Sequence, residues 1–108
     1  MSSIRKLIKH DKYLEYLYGK LTPKYDVLLK KVPLYSKRRR LVGEIDLMGI
    51  NQGAVDIYEV KCSHRVTKAK HQLNKIKRLI SKKQNLRHLF FYCGESDRLL
   101  NCKTLSSL

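Results

Sequence analysis

The stretch GEIDLMGINQGAVDIYEVK, Gly43–Lys61, decides the reading of this chain. Two apolar, β-rich runs, Leu41 to Ile50 and Val55 to Cys62, flank Asn51-Gln52-Gly53, which is turn chemistry, so they predict a β-hairpin. Acids stand inside both strands: Glu44 and Asp46 in the first, Glu59 beside Lys61 in the second. Side chains alternate faces along a strand, so Glu44 shares a face with Asp46, and Glu59 with Lys61. A four-residue loop, Asn51 to Ala54, sets Ile50 against Val55. That register puts Asp46 opposite Glu59 and Glu44 opposite Lys61. A three-residue loop would turn Asp46 and Glu59 to opposite faces.

Working outward, Ile4, Leu7, Ile8, Leu14, Leu17 and Tyr18 recur at helical spacing, predicting a helix over Ile4 to Tyr18 that stops at Gly19 before Thr22-Pro23. Tyr25 to Val32 suits a first strand ended by Pro33, and Lys37-Arg38-Arg39-Arg40 is a basic loop. Val66, Ala69, Leu73, Ile76 and Ile80 form one stripe of a helix over Val66 to Lys83. Leu86 to Cys93, apolar apart from Arg87 and His88, reads as a buried strand. Leu99 to Leu105 adds a short strand or a helix. The order α-β-β-β-α-β predicts an α/β fold, a single mixed sheet with flanking helices, in one domain over residues 1–108. The strand–helix–strand unit at its end predicts two parallel strands.

Composition narrows the function. Lys and Arg total 24 against 9 Asp and Glu, a formal charge of +15, which points to a polyanionic partner. The longest apolar runs are a few residues, as in Leu89 to Tyr92, and no signal-peptide pattern follows the first Met, so the expectation is an intracellular, cytoplasmic protein without membrane spans. Cys62, Cys93 and Cys102 are odd in number and widely spaced, which suits buried thiols rather than a disulfide framework or zinc. His10, His71 and His88 have no metal-ligand spacing with a cysteine.

Two carboxylates facing each other across a strand pair repel. A divalent cation between them removes the conflict, and Mg²⁺ commonly takes one or two carboxylates plus water and substrate phosphate. Lys61 would then stand beside the metal, able to orient a water or to neutralise charge on a phosphate. On this reading Asp46→Ala relieves repulsion and leaves the fold unharmed. The competing reading of Glu59 and Lys61 is an exposed ion-pairing edge; the apolar flanks Ile45, Leu47, Ile57 and Val60 argue for interior strands instead. Glu44 reads as structural or solvated.

Asp46 in one strand and Glu59-Val60-Lys61 in the next resemble the signature of the PD-(D/E)xK nuclease superfamily, with Ile45 where the family name has proline. The predicted element order is similar to that family's restriction-endonuclease-like core. The resemblance implies a Mg²⁺-dependent endonuclease that hydrolyses DNA phosphodiester bonds, with Mn²⁺ as a substitute and no organic cofactor. It implies metal ligation by Asp46, Glu59 and the Val60 carbonyl, with Lys61 as the catalytic group that positions the water or stabilises the pentavalent transition state. Many members add an acid from the first helix, for which Glu15 is the candidate and Asp11 the alternative. Some add a Gln from the helix after the Lys, and Gln72 fits by location, within roughly 60° of the centre of the apolar stripe. In size and basicity the chain looks most like archaeal-type Holliday-junction resolvases and related small nucleases, homodimers that cut branched DNA.

The residues expected to touch nucleic acid are Lys37, Arg38, Arg39 and Arg40 before the motif strand, with His64, Arg65 and Lys68 after it. Tyr13, Tyr16 and Tyr18 on the first helix either stack on bases or pack in a core or dimer. The rival function is a non-enzymatic basic protein that binds nucleic acid, branched or duplex.

Overall fold

The computed structural model describes residues 2–63, 66–80 and 85–102. Its elements are α1 (Ser2–Leu21), a 3-10 turn (Thr22–Lys24), β1 (Val27–Tyr35), β2 (Leu41–Asn51), β3 (Ala54–Lys61), α2 (Val66–Ile80), β4 (Asn85–Cys93) and β5 (Arg98–Asn101). The five strands form one mixed sheet in the order β1-β2-β3-β4-β5. Only β3 and β4, joined through α2, run parallel; the other neighbours are antiparallel. The protein is thus α/β, with one helix on each face of the sheet.

Each face has its own core. On one, Ala69, Leu73, Ile76 and Ile80 of α2, the stripe legible in the sequence, pack on Ile45, Ile57, Leu89 and Phe91. On the other, Leu14, Leu17 and Leu21 of α1 pack on Leu47, Tyr58, Val60 and Tyr92. The sheet is therefore covered on both sides at β3 and β4, which is why Leu89 to Cys93 of β4 is continuously apolar. Among the described residues no helix is long and apolar enough to cross a membrane.

Several boundaries differ from expectation, each for a physical reason. α1 runs past Gly19 to Leu21 because Leu21 is buried in the α1 core, and burial outweighs the helix cost of one glycine. The Thr22 hydroxyl then donates to the Tyr18 carbonyl, closing the last turn. β1 continues through Pro33 to Tyr35; it is an edge strand, where a residue without an N–H is tolerated. The end of the chain adds a strand, β5, at Arg98–Asn101, which settles the strand-or-helix alternative for that part.

The hairpin register is the one expected, with Ile50 opposite Val55, but the ladder extends to Asn51↔Ala54. The connection is thus a two-residue turn, Gln52-Gly53, with φ of 48° and 83°, the positive-φ pair that tight hairpins favour. Both loop lengths keep the same register, so every pairing beyond the turn is unchanged.

Candidate active site

The β2–β3 ladder runs from the turn only as far as Leu47↔Tyr58. Beyond it the strands are no longer joined as a regular ladder, and side chains enter the opening. One cause lies in β2. Ile45 and Met48 both pack in the α2-side core while Leu47 packs in the α1-side core. The two-residue alternation is therefore interrupted at Asp46. Across from it, Lys31 of β1 has a left-handed φ of 53°, and the β1–β2 ladder passes from Lys30↔Leu47 to Val32↔Ile45.

Asp46 fills the place of the missing ladder bond. The Val60 N–H donates to Asp46 Oδ2 at 2.8 Å. The Val60 carbonyl accepts from His10 Nε2 of α1 at 2.9 Å, and the same nitrogen is 3.5 Å from Asp46 Oδ2. A carbonyl cannot donate, so Nε2 carries the proton. The Asp46 hydrogen bond holds the His10 pKa above its ordinary value, against the lowering effect of burial.

Glu59 is 5% exposed. Lys61 Nζ stands 3.2 Å from Glu59 Oε2, while Glu59 Oε1 is buried with no hydrogen-bond partner among the described residues. Burial pushes the Glu59 carboxyl up, Asp46 pushes it further, and Lys61 offsets only part, leaving it at about 8. A buried carboxylate with an orphaned oxygen is costly. It is also where a positively charged ligand gains most.

The expected residues are distributed as follows. Asp46, Glu59, Val60 and Lys61 come together. Asp46 is close enough to Glu59 to raise its pKa, although Asp46 meets β3 through the Val60 N–H rather than as a ladder partner of Glu59. Glu44 pairs with Pro33 of β1 and is exposed; the β2–β3 ladder stops before it, so it has no ladder partner in Lys61. Glu15 is turned to β1, where both its oxygens accept from Lys30 Nζ at 3.0 and 2.9 Å, so it is not at the centre. Asp11 pairs with Lys31 at 3.2 Å and lies 3.8 Å from His10 Nδ1, so it reaches the centre only through His10. Gln72 is half-buried above Gly43 of β2, its Nε2 3.5 Å from where a Cβ of Gly43 would stand, beside Lys75, which donates to the Val42 carbonyl.

Lys37, Arg38, Arg39 and Arg40 are exposed on the β1–β2 loop, where the Ser36 hydroxyl accepts the N–H groups of Arg38 and Arg40. Lys68 is exposed on α2. His64 and Arg65 lie outside the described residues. Sequence reasoning missed His10, since its partner Val60 is 50 residues away and helical periodicity says nothing about which strand a polar face meets.

Among the described residues no three His, Cys, Asp or Glu side chains are grouped to hold a metal ion by themselves. The oxygens present are two carboxylates and one main-chain carbonyl, a hard donor set of the kind Mg²⁺ accepts when water and phosphate complete it. The Val60 carbonyl has a second lone pair beside the one His10 uses. The unpartnered Glu59 Oε1 is the observation that fits a cation here. The sequence matches no protein-family model and no curated protein.

Proposed function

We propose that this chain is a metal-dependent nuclease of the PD-(D/E)xK type, acting on DNA, with branched DNA the substrate the resemblance implies. On this reading α1, β1–β3, α2 and β4 correspond to the restriction-endonuclease-like core, and β5 is an addition. The single observation that carries it is Glu59: a buried acid beside a second acid, with one oxygen on Lys61 and the other on nothing among the described residues. Perturbed acids cluster at functional sites, where burial and like charge tune a carboxyl for its task.

Asp46, Glu59 and the Val60 carbonyl would hold Mg²⁺ or Mn²⁺. When bound, that ion supplies Lewis-acid charge and a more acidic water. Lys61 contributes an ammonium that keeps Glu59 oriented and offsets charge gathered on a phosphate. The cations of the β1–β2 loop supply sequence-independent grip on the backbone. His10 holds Asp46 and the Val60 carbonyl in place from α1.

A second reading, a non-enzymatic nucleic-acid binder, is favoured by one observation: His10 Nε2 already satisfies the Val60 carbonyl and faces Asp46. The test is incubation with four-way-junction and linear DNA in Mg²⁺, Mn²⁺ or EDTA. Cleavage that disappears in EDTA and in Glu59→Ala, while binding persists, supports the nuclease. Binding without cutting on any of these substrates supports the second reading.

A further inference from the structure

Two adjoining cavities, of about 380 and 370 Å³, form one groove between α1 and the turn that joins β4 to β5, with Tyr92 and Asp97 common to both. Its near end begins at the candidate active site. His10, which bonds to Val60, and Tyr13 are three residues apart on α1 and so lie on one face. The Tyr13 ring is pressed against Gly94, where a Cβ would stand 2.1 Å from the ring. The Gly94 N–H donates to the Lys61 carbonyl at 2.8 Å. The groove therefore opens directly beside the Glu59–Lys61 strand end.

Its lining is aromatic toward α1's Tyr13 and Tyr16 and aliphatic at the other end, with Leu17, Leu21 and Leu99; Asp97 is the acid in it, and Lys12, Lys20 and Lys24 are its cations. Tyr13, Tyr16 and Tyr92 line it, and Tyr92 is fixed by donating its hydroxyl to Asp97 at 2.6 Å. Tyr16 is 48% exposed, with Lys20 Nζ 4.9 Å from its ring centroid. Lys12 lies at one end, and Lys20 and Lys24 at the other. Volumes of this size suit a small planar group. Rings flanked by ammonium groups match a nucleotide, whose base has a π-face and whose phosphate is anionic. A paired base has its faces covered by its stacked neighbours, so only an unpaired one can enter.

We propose that this groove is a base-stacking site that holds an unpaired nucleotide beside the candidate cleavage centre, with Tyr16 as the platform and Lys12, Lys20 and Lys24 on the flanking phosphates. It rests on the reading above only in taking nucleic acid as the partner. As a consequence, substrates with locally opened strands engage the site better than continuous duplex.

The test is fluorescence anisotropy in EDTA at fixed low salt, comparing a labelled oligothymidylate with an abasic deoxyribose-phosphate backbone of equal length. The wild-type chain is expected to bind the oligothymidylate at least about 5-fold more tightly than the abasic backbone, the lower end of what stacking one base is worth. Tyr16→Ala, at a half-exposed position, should bring that ratio near one, and Tyr16→Phe should keep it. A wild-type ratio near one overturns the proposal, as does a ratio that survives Tyr16→Ala. Because cleavage is not read, base-dependent binding without any nuclease activity would sink only the nuclease reading, and cutting without base-dependent binding would sink only this one.

Discussion

Strand β3 buries two acids three residues apart, and the protein treats them in opposite ways. Asp56 is 2% exposed and fully partnered. Arg87 donates to both its oxygens, at 3.0 and 2.8 Å, and the Tyr25 hydroxyl donates to Oδ2 at 2.7 Å. Burial works to raise the Asp56 pKa, yet Arg87 and Tyr25 outweigh it and hold the carboxyl below the usual range. Glu59, nearly as buried, has a second acid for a neighbour, a single ammonium and an oxygen left over. A fold that can satisfy one buried carboxylate so completely is able to satisfy another. Leaving Glu59 unsatisfied is what supports the proposed role for it.

On the proposed nuclease reading, the largest effect that sharpens this contrast is on cleavage. Lys61→Ala and Glu59→Gln should each lower cleavage by about 100-fold or more, the scale of losing one preorganised charge-stabilising group, with DNA affinity within about twofold. Single-turnover cleavage and anisotropy measure the two. Equal loss of both activities would reduce Glu59 to a structural acid like Asp56.

Next comes the response to pH. Folded Glu59 keeps its proton up to about pH 8, whereas the unfolded chain loses it near 4.5. The folded state thus binds more protons between these values, and stability falls as pH rises through the window, with the full penalty above pH 8. Glu59→Gln removes the titration, so its melting temperature relative to wild type should climb between pH 5 and pH 8.5. Mg²⁺ at pH 8.5 should then narrow the gap by stabilising wild type alone. A gap that is constant with pH would place Glu59 in the same class as Asp56.

Asp56→Asn should act in the other direction and at every pH near neutrality. It weakens a charge-assisted pair and should cost about 2–3 kcal/mol in urea unfolding. A neutral outcome would break the comparison from the other side, since Asp56 would no longer be the acid that stability depends on.

How much of this was legible beforehand follows from the range of the interactions. The α2 stripe Ala69, Leu73, Ile76 and Ile80 and the register that pairs Ile50 with Val55 are local patterns, and periodicity and turn chemistry reveal them. The neighbourhood of Asp46, Glu59 and Lys61 follows from the same register. The interruption of alternation at Asp46 does not, because it depends on which core claims Leu47 and on the backbone of Lys31 one strand away. For that reason Asp46 is not the free repulsive charge that the sequence suggested. Its Oδ2 accepts the Val60 N–H, so Asp46→Ala trades relieved repulsion against an unsatisfied donor. Arg87 as the partner of Asp56, and His10 as the α1 group at the centre in place of Glu15, are likewise long-range pairings that no spacing encodes.

The smallest expected effect concerns His10, whose protonated form would join Lys61 as a cation at the acidic centre. Its folded pKa is raised above the ordinary 6.5, chiefly by the Asp46 hydrogen bond. Protonated His10 therefore contributes stability that is fully present below about pH 6.5 and lost as pH rises through the folded value. Wild type should exceed His10→Ala in stability by more at pH 6 than at pH 9, with a difference of about 1 kcal/mol, the scale of one net intramolecular hydrogen bond. Paired urea titrations at the two pH values measure it. If the gap is the same at both, His10 is neutral throughout and only orients Val60. The charge balance at Glu59 would then rest on Lys61 alone, making the two acids of β3 more unlike than they already are.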